Sequence, residues 1–196
     1  MVWGVAGKYC SGKNIVVNIL KSCGFREIDV DLLGHRVLEE QKTRVVKHFG
    51  REILASCGEI DRRKLGRVVF TDPAELRVLE GILHPVMVER VEEQVKGAAE
   101  PLVINAALLC PMGLHSLCDL VICVKANPLV RYLRARKRDG LSVPVTLSRI
   151  FAQKRICSKS NGLAVDIYYI RNNHGFFRVE EEIRAILQDK GIGKVN

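Results

Sequence analysis

The chain has 196 residues, 47% of them hydrophobic, and carries 31 Lys and Arg against 22 Asp and Glu, for a net charge of +9 at neutral pH. That length fits one domain, or one domain with a mobile insert, with a core of ordinary size. The composition excludes disordered and repeat architectures. Met1 to Ala6 lacks the charged start and the length of a signal peptide. The longest apolar tract, Pro101 to Val124, is interrupted by Asn105, Pro111, Gly113, His115 and Asp119. It reads as two strands and a connector, not a membrane span. Seven cysteines form no C-x-x-C pair, which points to reduced thiols and a cytoplasmic chain.

The first predicted strand is Val2-Trp3-Gly4-Val5-Ala6, and a helix is predicted from Ile15 through Leu20. Between them runs Gly7-Lys8-Tyr9-Cys10-Ser11-Gly12-Lys13-Asn14. The spacing G-x-x-x-x-G-K between a strand and a helix is that of a P-loop, which binds nucleotide phosphates. Gly7 and Gly12 permit backbone angles and close approach that a Cβ blocks. The loop amides and the helix N-terminus then face the anion, and Lys13 reaches the β and γ phosphates. Gly7 through Ile15 are therefore the candidate nucleotide-binding residues. A loop that starts within seven residues of Met1 fits small P-loop kinases, whose first strand opens the domain. The last position departs from the motif. Asn14 stands where a Ser or Thr hydroxyl holds Mg²⁺; its amide oxygen is a larger candidate metal ligand. Cys10 has two readings. The helix N-terminus with Lys8 and Lys13 would lower its pKa and make it reactive, or it is an inert loop filler.

A second short strand is predicted from Phe25 to Asp29, and Asp29 and Asp31 sit two apart at its end. On an extended strand both would point to one side, at the carboxyl edge where parallel sheets bind ligands. Asp31 could also cap the following helix, predicted over Leu32 to Phe49. Asp61 is the expected cap of a helix from Arg62 to Phe70. Thr71-Asp72-Pro73 starts another to about Lys96, with Pro73 near its first position. Leu83-His84-Pro85 falls inside it, and Pro85 should kink it. His84 faces either the core or a substrate. Leu102–Ala106 and Leu120–Val124 are continuous apolar runs, as buried parallel strands should be. Asn127-Pro128 opens a helix, Ser142-Val143-Pro144 another to about Lys154, and Lys154 to Gly162 a mobile polar loop. Asp166–Ile170 is a last strand, Asn172-Asn173-His174-Gly175 a turn, and Phe177, Val179, Ile183, Ile186 and Leu187 mark an amphipathic closing helix. Strands alternating with helices predict an α/β fold, a parallel sheet with helices on both faces.

The charge is uneven. Residues 125–159 hold ten basic side chains and one acid, Asp139, so this segment carries the whole net +9 and the rest of the chain is neutral. Two functions compete: a nucleic-acid surface, or a clamp on a small polyanion such as a nucleoside triphosphate. The P-loop favours the clamp. Arg131, Arg134 and Arg138, spaced i, i+3, i+7, share one helix face, and guanidinium groups make paired bonds to phosphate oxygens.

Taken together, these pieces resemble the dephospho-coenzyme A kinase family. They are the N-terminal P-loop, Ile28-Asp29-Val30-Asp31, Phe49-Gly50, Asp61 to Leu65, Val69 to Pro73, Leu83-His84-Pro85, Leu108-Leu109, Asn127-Pro128 through Arg138-Asp139, Ala152-Gln153 and Ile170 to Asn173. The likeness runs from Val2 to about Phe177. It implies one P-loop kinase domain over 1–196, with a helical segment at about 60–97 that receives the CoA substrate and a basic helical lid at about 127–160. It implies transfer of phosphate from ATP, with Mg²⁺, to the ribose 3′-hydroxyl of dephospho-CoA. Lys13 would hold phosphates. Arg134, and less centrally Arg138, would stabilise the transition state, and Asp31 would act as base. Asp29, Asp31 and His84 would contact the acceptor, and Asn172 would lie against adenine. No membrane or nucleic-acid partner is implied, and the chain is expected as a monomer or small homo-oligomer. Four departures from the family pattern stand out: Asn14 for Ser, Asn105 for a frequent Asp, Ala107 for Pro, and Lys8-Tyr9 for small loop residues. They predict altered metal dependence. Two alternatives remain open: another small-molecule P-loop kinase acting on a nucleoside or nucleotide, and a non-catalytic nucleotide or RNA binder.

Overall fold

The structure is a computed structural model that describes residues 1–140, 143, 165–173 and 176–192. The predicted helix 142–154 (residue 143 apart), the loop 154–162, the pair Ala152-Gln153 and the turn residues His174 and Gly175 lie outside the described residues.

Five strands form one sheet: β1 (Val2–Gly7), β2 (Arg26–Asp29), β3 (Leu102–Asn105), β4 (Leu120–Lys125) and β5 (Asp166–Arg171). Their order is β2-β3-β1-β4-β5, and every neighbouring pair is parallel. The described helices are α1 (Lys13–Ser22), α2 (Val30–Glu40), α3 (Lys42–Phe49), α4 (Arg62–Val69), α5 (Pro73–Lys96), α6 (Pro128–Asp139) and α7 (Phe176–Asp189). The sheet is parallel with helices on both faces, the arrangement that alternating strands and helices predicted. Because β1 lies between β3 and β4, the loop after it opens at the middle of the carboxyl edge, where such sheets place their ligands. Among the described residues no helix is long and apolar enough to cross a membrane.

The chain divides into two compact units. The first is Met1–Asp29 with the chain from Gln94 onward and holds the sheet. On one sheet face Trp3, Val5, Val103, Ile122, Val124 and Ile170 pack against Val16, Val17 and Leu20 of α1 and Val179 and Ile183 of α7. The period-2 register of the strands sends these residues to one side. Trp3 meets the Phe25 ring at 5.0 Å between centroids, tilted 50°, a geometry worth about 0.5–1.5 kcal/mol beyond area burial.

The second unit, Val30–Glu93, is helical. Its core gathers Leu38, Val45, Phe49, Ile53, Ile60, Leu65 and Val69. Asp61 caps α4 as expected, accepting from the amides of Arg63 (2.9 Å) and Lys64 (3.2 Å). Pro73 is the first residue of α5, and Asp72 Oδ1 accepts from Ala74 N at 2.7 Å. The helix continues through Pro85 to Lys96.

Two expectations are corrected. The stretch after the second strand is two helices rather than one. Gln41 joins them, its carbonyl accepting from the amides of Arg44 and Val45 at 3.0 Å; no Gly or Pro marks the junction. The two aspartates do not share an extended strand. β2 stops at Asp29 and α2 begins at Val30, so Asp31 is a first-turn residue rather than a cap. The period-2 alternation of an extended strand therefore does not carry from Asp29 to Asp31.

Candidate active site

β1 delivers the chain to Gly7, and α1 restarts it at Lys13. Both glycines of the motif are required by contacts. A Cβ at Gly7 would lie 2.8 Å from the carbonyl oxygen of Val124. Gly12 has φ 94°, the left-handed region, and a Cβ there would collide with the Asn172 amide. Gly12 also stands at the N-cap of α1, and no side chain caps that helix. The helix N-terminus therefore keeps its affinity for an anion. Cys10 holds φ 58°, an uncommon conformation for a side chain with a Cβ.

Among the described residues three side chains bond the loop backbone from outside, and a fourth lies over its Tyr9 ring. Asn172, fully buried, donates Nδ2 to Ser11 O (3.0 Å) and accepts at Oδ1 from Arg134 Nη2 (3.0 Å). Its own amide is anchored on Lys125 O at 2.8 Å. Arg134 Nη1 also reaches Ser11 O, at 3.3 Å. Arg131, 3% exposed, donates Nε to Tyr9 O at 2.8 Å, and burial pulls its pKa down. Arg138 pairs with Asp139 and lies over the Tyr9 ring, 5.1 Å from its centroid. The i, i+3, i+7 face of α6 is thus turned to the loop as the spacing implied. Its arginines grip carbonyls and a ring of the loop, and Asn172 is a brace with no exposed surface of its own.

Sequence reasoning missed the loop-supporting contact of Arg131 and the bond between the Tyr9 hydroxyl and Asp139 Oδ2. Asp139 carried a signal: it is the single acid in the basic segment. The thiol of Cys10 is pushed up by burial, with Arg138 opposing and Asp139 adding to the rise. The reactive reading of Cys10 gives way to the inert one, because desolvation of the thiolate outweighs the nearby cations.

Asp29 and Asn105 are register partners at the carboxyl ends of β2 and β3, so their side chains leave the same sheet face. Asn105 is 4% exposed and donates Nδ2 to Glu27 Oε1 at 2.9 Å. Burial pushes the Glu27 carboxyl up, but bonds from Asn105 and Lys21 outweigh it and hold the group below the ordinary range. An ionised Glu27 fixes the amide orientation, since the flipped amide would set oxygen against carboxylate. Among the described residues Asn105 Oδ1 has no partner, which costs about 1–3 kcal/mol until a donor arrives.

Those groups suit Mg²⁺. Among the described residues no cluster of three His, Cys, Asp or Glu could cage a metal. Mg²⁺ does not need one, because it keeps several waters and binds through phosphates and one or two protein oxygens. Asn14, exposed on the first turn of α1, and Asp29 offer oxygens. The orphaned Asn105 Oδ1 is an acceptor suited to a metal-bound water.

Asp31 and His84 belong to the second unit. Asp31 is exposed on the first turn of α2. His84 is half-buried in α5; burial lowers its pKa, with Glu80 partly opposing.

Comparison with known proteins places this arrangement in a lineage. Residues 1–176 match the family model described as Dephospho-CoA kinase. The dephospho-CoA kinase of Borreliella burgdorferi is 36% identical over 195 residues, covering 96% of this chain and 93% of that protein. That of Borrelia garinii subsp. bavariensis is 34% identical over 192 residues, covering 96% and 94%. The crystal structure of TT1252 from Thermus thermophilus superposes with a TM-score of 0.79 at 28% identity, covering 96% of this chain and 97% of that one. With its parallel sheet, its P-loop at the sheet's carboxyl edge and a family match over nine-tenths of its length, the chain belongs to the dephospho-CoA kinase family of P-loop kinases.

Proposed function

We propose that this chain transfers the γ-phosphoryl group of ATP to the ribose 3′-hydroxyl of dephospho-CoA, releasing ADP and CoA. The observation that carries the phosphate half of this reading is the braced loop. Asn172, Arg131 and Arg134 fix the backbone of Tyr9 and Ser11, so the loop amides are oriented before any ligand binds. Phosphoryl transfer depends on such positioning and on charge neutralisation more than on covalent chemistry. Family membership supports the acceptor.

In this reading Lys13 and the amides of Gly7 to Ile15 hold the β and γ phosphates. Arg134 and Arg138 offset charge on the transferring group. Asp31 accepts the 3′-hydroxyl proton as the 3′-oxygen forms its bond to the γ-phosphorus. The bond from that phosphorus to the bridging oxygen breaks, and the electron pair leaves with ADP. Asp29 and His84 contact the acceptor. Bound with ATP, Mg²⁺ supplies further charge neutralisation, held by phosphate oxygens with Asn14, Asp29 and Asn105 as the protein groups around it. The engagement of Arg131, Arg134 and Arg138 with the loop favours the nucleotide clamp over a nucleic-acid surface.

The test is ADP release by purified protein with ATP, Mg²⁺ and dephospho-CoA, beside adenosine and AMP as acceptors. ADP formed with dephospho-CoA alone is expected. Turnover of adenosine or AMP instead would assign a nucleoside or nucleotide kinase. ATP binding without turnover of any acceptor would assign a non-catalytic nucleotide binder.

A further inference from the structure

We infer that Tyr9 is a positioning residue: its hydroxyl ties Asp139 to the P-loop and thereby holds Arg138 at the loop's rim for the triphosphate. The inference rests on the nucleotide reading above but not on the identity of the acceptor.

Asp139 ends α6, and Gly140 closes the helix in the left-handed conformation. Both carboxylate oxygens of Asp139 are engaged. Oδ1 accepts from Arg138 Nε at 2.7 Å. Oδ2 accepts from Arg138 Nη2 at 3.0 Å and from the Tyr9 hydroxyl. This fork fixes the plane of the guanidinium, and the Tyr9 ring lies beneath it. Arg138 Nη1 takes part in neither bond of the fork. The side chain of Asp139 is 21% exposed and that of Arg138 60%, so the acid is tucked in while the cation faces out. The bond from Asp139 pushes the pKa of Arg138 up against the opposing pull of burial.

A carboxylate beside a polyphosphate site opposes ligand binding by like-charge repulsion. The Tyr9 hydroxyl answers that problem by turning the acid onto Arg138. Tyr9 also offers its carbonyl to Arg131, and one loop residue therefore receives two of the three α6 arginines. Packing alone would explain the ring, but it leaves the hydroxyl without a task.

The test is Tyr9→Phe, which keeps the ring and deletes only the hydroxyl. ATP binding is measured by calorimetry without acceptor, followed by steady-state kinetics. Losing one bond to a charged group should weaken ATP binding about tenfold. KM for ATP should rise in step, and kcat should fall with it to the extent that Arg138 acts on the transferring group. In an Asp139→Asn background the same change should cost much less, because the repelling charge is gone. Unchanged ATP affinity in Tyr9→Phe, a fall in kcat with KM constant, or an equal loss in the Asp139→Asn background would each overturn the inference. If the wild-type protein turns over no dephospho-CoA while Tyr9→Phe still weakens ATP, the acceptor reading fails and the positioning role stands. A wild-type protein that binds no ATP removes both.

Discussion

Asn14 stands on the first turn of α1, exposed, one residue after Lys13, the lysine of the P-loop motif. A P-loop Ser or Thr at that position presents a compact hydroxyl to Mg²⁺. The amide of Asn14 is longer and keeps more rotamer freedom at an exposed position, so it loses more entropy on being held against a metal. Nearby, Asn105 presents a buried acceptor whose orientation Glu27 fixes and which has no partner among the described residues. Restoring the hydroxyl should therefore add to a site that already has its outer support. In Asn14→Ser the Mg²⁺ concentration giving half-maximal ADP release should fall by about tenfold, within the range by which groups around a metal change its affinity. The Mg²⁺-dependent part of the thermal shift produced by ADP should move the same way. An unchanged Mg²⁺ titration would mean that Asn14 does not touch the metal's surroundings.

At the scale of elements, α5 carries a titratable group that the fold has pushed out of its ordinary range. His84 is half-buried on a helix whose Pro85 removes one backbone donor. Burial disfavours the imidazolium, and Glu80 recovers only part of that cost. The native pKa therefore lies below the ordinary value of 6.5. As pH falls through that value the unfolded chain takes up the proton first. The contribution of His84 to stability is whole above the unfolded pKa and is lost as pH falls from there to the native one. Glu27 is also depressed, but from 4.5, so its contribution disappears only at more acidic pH. Urea unfolding between about pH 7.5 and about pH 5.5 should show stability declining toward acid, and His84→Gln should flatten that slope. Equal slopes in both proteins would show that His84 titrates alike in the folded and unfolded chains. The sequence displayed α5 through its Asp72-Pro73 start and α4 through Asp61, because caps act within a turn and are local. It did not display the α2–α3 junction. Gln41 has no special propensity, and that break is set by packing around Leu38, Val45 and Phe49 rather than by the backbone preferences of its neighbours.

For the whole molecule, the sheet and its ligand edge were legible because continuous apolar runs and a glycine loop are local patterns that topology rules extend to a fold. The support of the loop was not, because Asn172 meets Ser11, and Arg131 meets Tyr9, across more than a hundred residues of chain. That long-range support decides how the net charge of +9 should behave. A basic stripe that tracks a nucleic-acid backbone releases counterions at each phosphate, so its binding falls steeply with salt. In this chain three of the ten basic side chains of residues 125–159 are turned onto the loop: Arg131 on Tyr9 O, Arg134 on Ser11 O, and Arg138 over the Tyr9 ring. Charges engaged this way suit one compact triphosphate better than an extended backbone. The expected result is that labelled single-stranded RNA binds weakly, that ATP with Mg²⁺ displaces it, and that the logarithm of ATP affinity falls with the logarithm of salt by a slope of roughly 2 to 3, near the value of about 0.7–0.9 per neutralised phosphate. RNA held with a much steeper slope and indifferent to ATP would place the charge excess on a nucleic-acid surface, separate from the P-loop. Arg134→Ala separates the two cases further. It removes one guanidinium from Ser11 and Asn172, so it should weaken ATP binding while leaving the residual RNA binding almost as it was.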